Sequence, residues 1–157
     1  MKNAISFLVV AILSLRPLQY ELRRSYYDKS RYTLKTIQDA VDSNDYDLAV
    51  YLTQQLYAFY KETLGENHSD TLSTLDDLSD YYDKLGDCNQ AIQCGLQVYE
   101  ISEQVLGLHH QDTLARLNNL AAYYAHAGDH HQAIELFLRA YNTEKEILGK
   151  YHSYTLQ

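Results

Sequence analysis

Tryptophan is absent from the 157 residues, proline occurs once and glycine six times, so this is not a low-complexity chain rich in Pro and Gly. Cysteine occurs twice, at Cys88 and Cys94. Six residues apart on one helix means about 9 Å of rise, too far for a disulfide; the pair reads as ordinary core or surface and does not fix a redox compartment. Positive charge is scarce beyond residue 35, where six Lys and Arg face nineteen Asp and Glu. With a net charge of −8, the chain lacks the clustered cations that neutralise phosphate, which excludes nucleic acid as the expected partner. The apolar stretch Ala4 to Leu15 has twelve residues, fewer than the ~20 a membrane-spanning helix needs.

What is present suits a globular body. Hydrophobic residues make up 46% of the chain, with sixteen Tyr and three Phe as bulky core material. A body of this size buries roughly 68–70% of its unfolded surface. The first 35 residues differ from the rest: Lys2, Arg16, Arg23, Arg24, Lys29, Arg31 and Lys35 against Glu21 and Asp28 give +5, leaving −13 for the remainder. Residues 1–29 therefore form a segment of their own, apolar and then basic. Lys2 before Ala4–Leu15 has the form of a signal peptide, yet Arg16-Pro17-Leu18 follows without a small-x-small cleavage site. Two readings stand: residues 4–15 act as a signal or membrane anchor for an exported module, or they form a helix capping the first layer of a cytoplasmic protein.

From residue 64 the chain repeats. Leu64-Gly65-Glu66-Asn67-His68-Ser69-Asp70-Thr71-Leu72 returns at Leu106-Gly107-Leu108-His109-His110-Gln111-Asp112-Thr113-Leu114 and again at Leu148-Gly149-Lys150-Tyr151-His152-Ser153-Tyr154-Thr155-Leu156, each at a step of 42. Residues 64–105 and 106–147 share 17 identities in 42 positions, where unrelated segments share about three. Asp45, Ala49 and Tyr57 continue the series backwards to Asp87, Ala91 and Tyr99, while Leu34, Ile37 and Val41 match Leu75, Leu78 and Tyr82 at a step of 41. The array is a worn copy at 30–64, good copies at 65–106 and 107–148, and the opening of another at 149–157.

Each copy predicts two helices. Leu72, Leu75, Leu78 and Tyr82 recur at the three- and four-residue spacing of an amphipathic helix. Gly86 and Gly128, with Asn44 in the worn copy, stand where a left-handed residue ends that helix. Asp45, Asp87 and Asp129 then supply the N-cap of the second, which runs through Ala91, Ile92 and Leu96, or Ala133, Ile134, Phe137 and Leu138, to a closing Leu-Gly. By this reading Gly65, Gly107 and Gly149 also terminate helices. Such pairs cannot bury their apolar faces alone, so the fold is all-α, tandem helix-turn-helix units stacked as a short solenoid.

These residues resemble the tetratricopeptide repeat, in the 42-residue form of kinesin light chains; the ordinary repeat has 34. Leu117, Leu120-Ala121, Tyr124, Gly128, Ala133, Phe137 and Ala140 fall where that family places its packing residues, and Leu75, Leu78-Ser79, Tyr82, Gly86, Ala91, Gly95 and Val98 do so one copy earlier. The usual proline after the linker His is replaced by Ser69, Gln111 and Ser153. The resemblance implies a right-handed superhelix whose concave face, lined by the first helix of each pair, holds peptides or partner helices. On that analogy the lining is Ser73, Asp76, Asp77, Asp80 and Asp83 in one layer and Ala115, Asn118, Asn119, Ala122 and His126 in the next. Asp76, Asp80 and Asp83 share a helix face by spacing alone. An acidic layer beside a carboxamide layer suits a protein or peptide segment bearing Lys or Arg.

No catalytic residues emerge: there is no Gly-rich phosphate loop, Gly-x-Ser-x-Gly turn or His-Glu-x-x-His helix, and the glycines serve helix ends. No metal site emerges either. His68, His110 and His152 occupy one repeated linker position, which points to structure, and Gly128 breaks the helix between His126 and His130. No cofactor is called for. The expected function is a scaffold for protein interaction; a regulatory piece of a larger enzyme or NTPase is the alternative the resemblance offers. The copy opening at Leu148 predicts a cut in a longer array or an array completed by a partner, with self-association through the uncapped C-terminal end as one form of completion.

Overall fold

A computed structural model describes the backbone of residues 31–154. The hydrophobic and basic stretch at 1–29, with its signal or capping role, lies outside the described residues. Six helices follow one another: α1 over 31–42, α2 (Tyr46–Leu64), α3 (Ser69–Leu85), α4 (Cys88–Leu106), α5 (Gln111–His126) and α6 (His130–Tyr154). They form tandem helix-turn-helix units, all-α among the described residues. Among the described residues no helix is long and apolar enough to cross a membrane.

The turns within each pair match their sequence signals. Asn44 (φ 57°), Gly86 (78°) and Gly128 (84°) take left-handed backbone, and the carboxylates of Asp45, Asp87 and Asp129 accept from the amides of Leu48, Gln90 and Gln132 at 3.1–3.2 Å. The links between pairs are capped by a residue sequence reasoning left without a role. His68 Nδ1 accepts from the Asp70 amide and His110 Nδ1 from the Asp112 amide, both at 3.2 Å, standing in for the Ser or Asp usual at an N-cap. Thr71, fully buried, adds a hydrogen bond from its hydroxyl to the Gly65 carbonyl at 2.8 Å.

At Gly149 the expectation fails. Gly65 and Gly107 break the chain at φ 93° and 87°, but α6 runs through Gly149 to Tyr154. The earlier breaks are held by bonds from the following segment, His68 N to Gly65 O and His110 N to Gly107 O. Without such partners among the described residues, helical bonding simply continues.

Three clusters of buried side chains run along the array, each joining successive helices. Ile37, Leu56 and Tyr60 tie α1 to α2; Val50, Leu72, Leu75, Leu78 and Val98 join α2, α3 and α4; Ala91, Tyr99, Leu117, Leu120, Tyr123 and Ala140 join α4, α5 and α6. Ala91 and Ala133, both buried, allow the close approach of paired helices. Cys88 and Cys94 lie on α4 as free thiols. Each helix from α2 onward packs on the next, and the backbones of α3 and α5 also approach each other, whereas α2 with α4 and α4 with α6 meet only through side chains, Gln97 donating to the Tyr57 hydroxyl and Arg139 to Glu103. First helices that approach while second helices splay put α3 and α5 on the inside of the curve.

Candidate functional site

The inner face is therefore built from α3 and α5, as the predicted lining requires, and its chemistry is set by how the two helices meet. Asp76, Asp80 and Asp83 do lie along one side of α3, but that side faces α5. The Arg116 guanidinium donates from Nε to Asp76 at 2.7 Å and from Nη1 to the buried Ser102 hydroxyl at 2.6 Å. The Tyr123 hydroxyl donates to Asp80, and His126 Nδ1 lies 2.8 Å from the Asp83 carboxylate. Three carboxylates that repel one another along one helix are thus matched by three donors along its neighbour. The donors Arg116 and Tyr123 were not anticipated. Their spacing of seven, followed by three to His126, is the sign that they share a helix face.

Burial raises the Asp76 carboxyl despite the Arg116 guanidinium that pulls it down. The Tyr123 hydroxyl is likewise raised, by burial first and by the Asp80 carboxylate second. Asp77 differs. It is exposed, has no hydrogen bond or ion pair among the described residues, and is pushed up to about 6 by partial desolvation followed by the charges of Asp76 and Asp80.

In the adjoining layer Asn119 is exposed and Asn118 and Ala122 are half-buried, while His126 is an exposed ring held at Asp83. Asn118 also lines an open cleft of about 600 Å³ between the start of α5 and the end of α6, together with Leu114, Ala115 and Ile147. Of the ten lining residues predicted, the structure thus engages Asp76, Asp80, Asp83 and His126 in holding α3 to α5. It leaves Asp77 and Asn119 open at equivalent positions one copy apart. Among the described residues no three His, Cys, Asp or Glu side chains gather as a metal site.

The fold has known counterparts. A kinesin light chain of Podosopora anserina with nearly identical TPR-like repeats is similar over 74% of this chain and 56% of that one, at 24% identity and a TM-score of 0.66; a point variant of the same protein gives 74%, 55%, 24% and 0.67. BtubC (BKLC) from P. vanneervenii is similar over 76% of this chain and 48% of that one, at 17% identity and a TM-score of 0.67. This chain spans about half the length of these structures. No curated protein matches it in sequence. The model of the tetratricopeptide repeat matches residues 39–104 and 84–146. Repeats of 42 residues, their paired helices and that match together show that the chain belongs to the tetratricopeptide repeat family.

Proposed function

We propose that the chain is a scaffold that binds a Lys- or Arg-bearing protein or peptide segment along the inner face of α3 and α5, without turnover. Repeats of this family mediate protein interaction in general; the choice of ligand rests on this chain's own residues. The observation that carries it is Asp77, an exposed carboxylate with no cation beside it, pushed up to about 6 by partial desolvation first and by the charges of Asp76 and Asp80 second. A cationic side chain placed there offsets the charges of Asp76 and Asp80 and gives the partly desolvated carboxylate a partner. Asn119, 42 residues on, both donates and accepts, and so can hold an extended backbone as the ligand crosses to the next layer. Asp76, Asp80 and Asp83 act as supports, fixing the distance between the two helices.

Fluorescence anisotropy with matched Lys-rich and Glu-rich peptides tests this. The Lys-rich peptide binds more tightly, weakens with added salt and gains affinity as pH rises through 6; Asp77→Asn removes the pH dependence. Equal binding of both peptides, or binding indifferent to salt, refutes it.

A further inference from the structure

Repetition gives the inner face an internal control. Asp77 on α3 has Asn119 as its counterpart on α5, and Tyr81 has Tyr123. The two tyrosines meet different surroundings. Tyr123 is buried, its ring lies so close to Gly95 that a Cβ there would come within 2.9 Å, and its hydroxyl is donated to Asp80. One layer earlier Thr53 stands in the place of Gly95, Tyr81 is only half-buried, and its hydroxyl makes no hydrogen bond among the described residues.

A partly open ring is therefore next to the open carboxylate. Asp77 and Tyr81 are one turn apart on α3, and a helical side chain leans over the turn N-terminal to its own Cα, so the Tyr81 ring leans toward Asp77. The tyrosine registers that neighbour: its hydroxyl is raised by burial first and then by the Asp77 and Asp80 carboxylates. The Tyr46 ring, at the start of α2, braces it at 6.3 Å between centroids and a tilt of 40°, within the range of favourable aromatic pairs. Its remaining contacts are with the apolar clusters around Ile37 and Leu75. Of the two layers, this one alone has both features; in the next, the carboxylate is replaced by an amide and the ring is shut in.

We propose that Asp77 and Tyr81 form a subsite that selects arginine over lysine in the bound segment, the guanidinium stacking on the open part of the Tyr81 ring while its N–H groups donate to the Asp77 carboxylate. This rests on the inner face being the site for a cationic segment, and adds which cation it prefers. A guanidinium is planar and weakly hydrated, so it offers a flat face to a ring while its edge bonds a carboxylate. A lysine ammonium is a compact, strongly hydrated charge; it pairs with Asp77 but gains less from the ring.

Fluorescence anisotropy on the full chain, with two peptides identical except that one carries arginines where the other carries lysines, tests the preference. The arginine peptide binds about two- to fivefold more tightly, the gain an exposed cation–π contact supplies. Tyr81→Leu lowers its affinity to that of the lysine peptide and leaves the lysine peptide unchanged, whereas Tyr81→Phe, which keeps the ring, keeps the preference. Asp77→Asn weakens both. If Tyr81→Leu loses helical circular dichroism, Tyr81→Met, which fills more of the same space without a ring, takes its place. A Glu-rich peptide separates the two levels of the reading: if it binds as well as the other two, the inner face is not a site for cations at all. Equal affinity for arginine and lysine, both above the Glu-rich peptide, overturns the subsite alone, and so does an arginine preference that survives removal of the ring.

Discussion

Two glycines inside helices give opposite responses to one substitution. Gly95 lies within α4 and Gly149 within α6, both without positive φ, so Ala at either gains the ordinary helix preference of about 0.8–1 kcal/mol over Gly. At Gly149 nothing lies within 4 Å of the new Cβ, and that gain is what remains, less whatever fraying near the helix end removes. At Gly95 the Cβ lands 2.9 Å from Tyr123 Cδ2 and Cε2 and 3.4 Å from Leu120 Cδ1. The ring cannot swing aside, because Tyr123 is 3% exposed and its hydroxyl is committed to Asp80. Overpacking of this kind costs about 1–3 kcal/mol, which cancels or exceeds the helix gain and leaves Gly95→Ala destabilised by up to about 2 kcal/mol. In thermal unfolding followed at 222 nm, the midpoint falls by up to roughly 8 °C, whereas Gly149→Ala raises it slightly. In a Tyr123→Val background, where both contacting ring carbons are gone, Gly95→Ala becomes neutral or favourable. The coupling read from that cycle is about 1–3 kcal/mol. If Gly95→Ala stabilises the protein as Gly149→Ala does, the packing of Tyr123 against α4 is wrong.

Arg116→Ala leaves Asp76 half-buried without its cation and Ser102 without its donor partner, and costs about 1–3 kcal/mol in urea unfolding; pairing it with Asp76→Asn recovers part of the loss, and a loss unchanged by that pairing refutes the bridge. For Asp77 the folded carboxyl is raised above its unfolded value of 3.8, so the folded state holds the proton more tightly and stability declines as pH rises from about 4 through 6. Asp77→Asn flattens that slope and gains no more than about 0.5–1 kcal/mol at pH 7, solvent screening being strong at an exposed site; a variant less stable than wild type at pH 7 refutes it. His110→Ala removes the cap of α5 and costs about 0.5–2 kcal/mol, whereas His110→Asn, which offers an acceptor to the same amide, keeps most of it; equal losses in the two variants would show that the cap contributes nothing.

Punctuation was the most legible part of the fold. Asn44, Gly86 and Gly128 with the aspartates that follow them are local signals, decided by the conformational freedom of one residue and the reach of one carboxylate. The step of 42 then carried them from copy to copy. Gly149 shows where such signals stop: the same Leu-Gly ends a helix at 65 and 107, where a later segment bonds back to it, and continues the helix at 149, where no such bond is present among the described residues. The histidine caps were visible as a repeated position without a mechanism, since His is not the usual acceptor there. The inner face was half legible. Spacing placed Asp76, Asp80 and Asp83 on one side of α3, but which side faces α5, and hence which acids meet Arg116, Tyr123 and His126, depends on the pitch between layers. No single helix encodes that. Asp77 and Asn119 remain open for the same reason.

The matched rows between α3 and α5 also bear on how such an array can evolve. A solenoid of interchangeable units can lose or gain a copy with little penalty, because each junction is the same. Here the junction is bespoke: Asp76, Asp80 and Asp83 recur in the next copy as Asn118, Ala122 and Ala125, and Arg116, Tyr123 and His126 occur one copy earlier as Thr74, Tyr81 and Lys84. Deleting residues 107–148 would strand three carboxylates, and exchanging the two copies would bring none of the three acid–donor pairs together. Once the copies diverged in complementary directions, duplication ceased to be an easy route for this stretch of the chain, and its two good repeats became a single heritable unit.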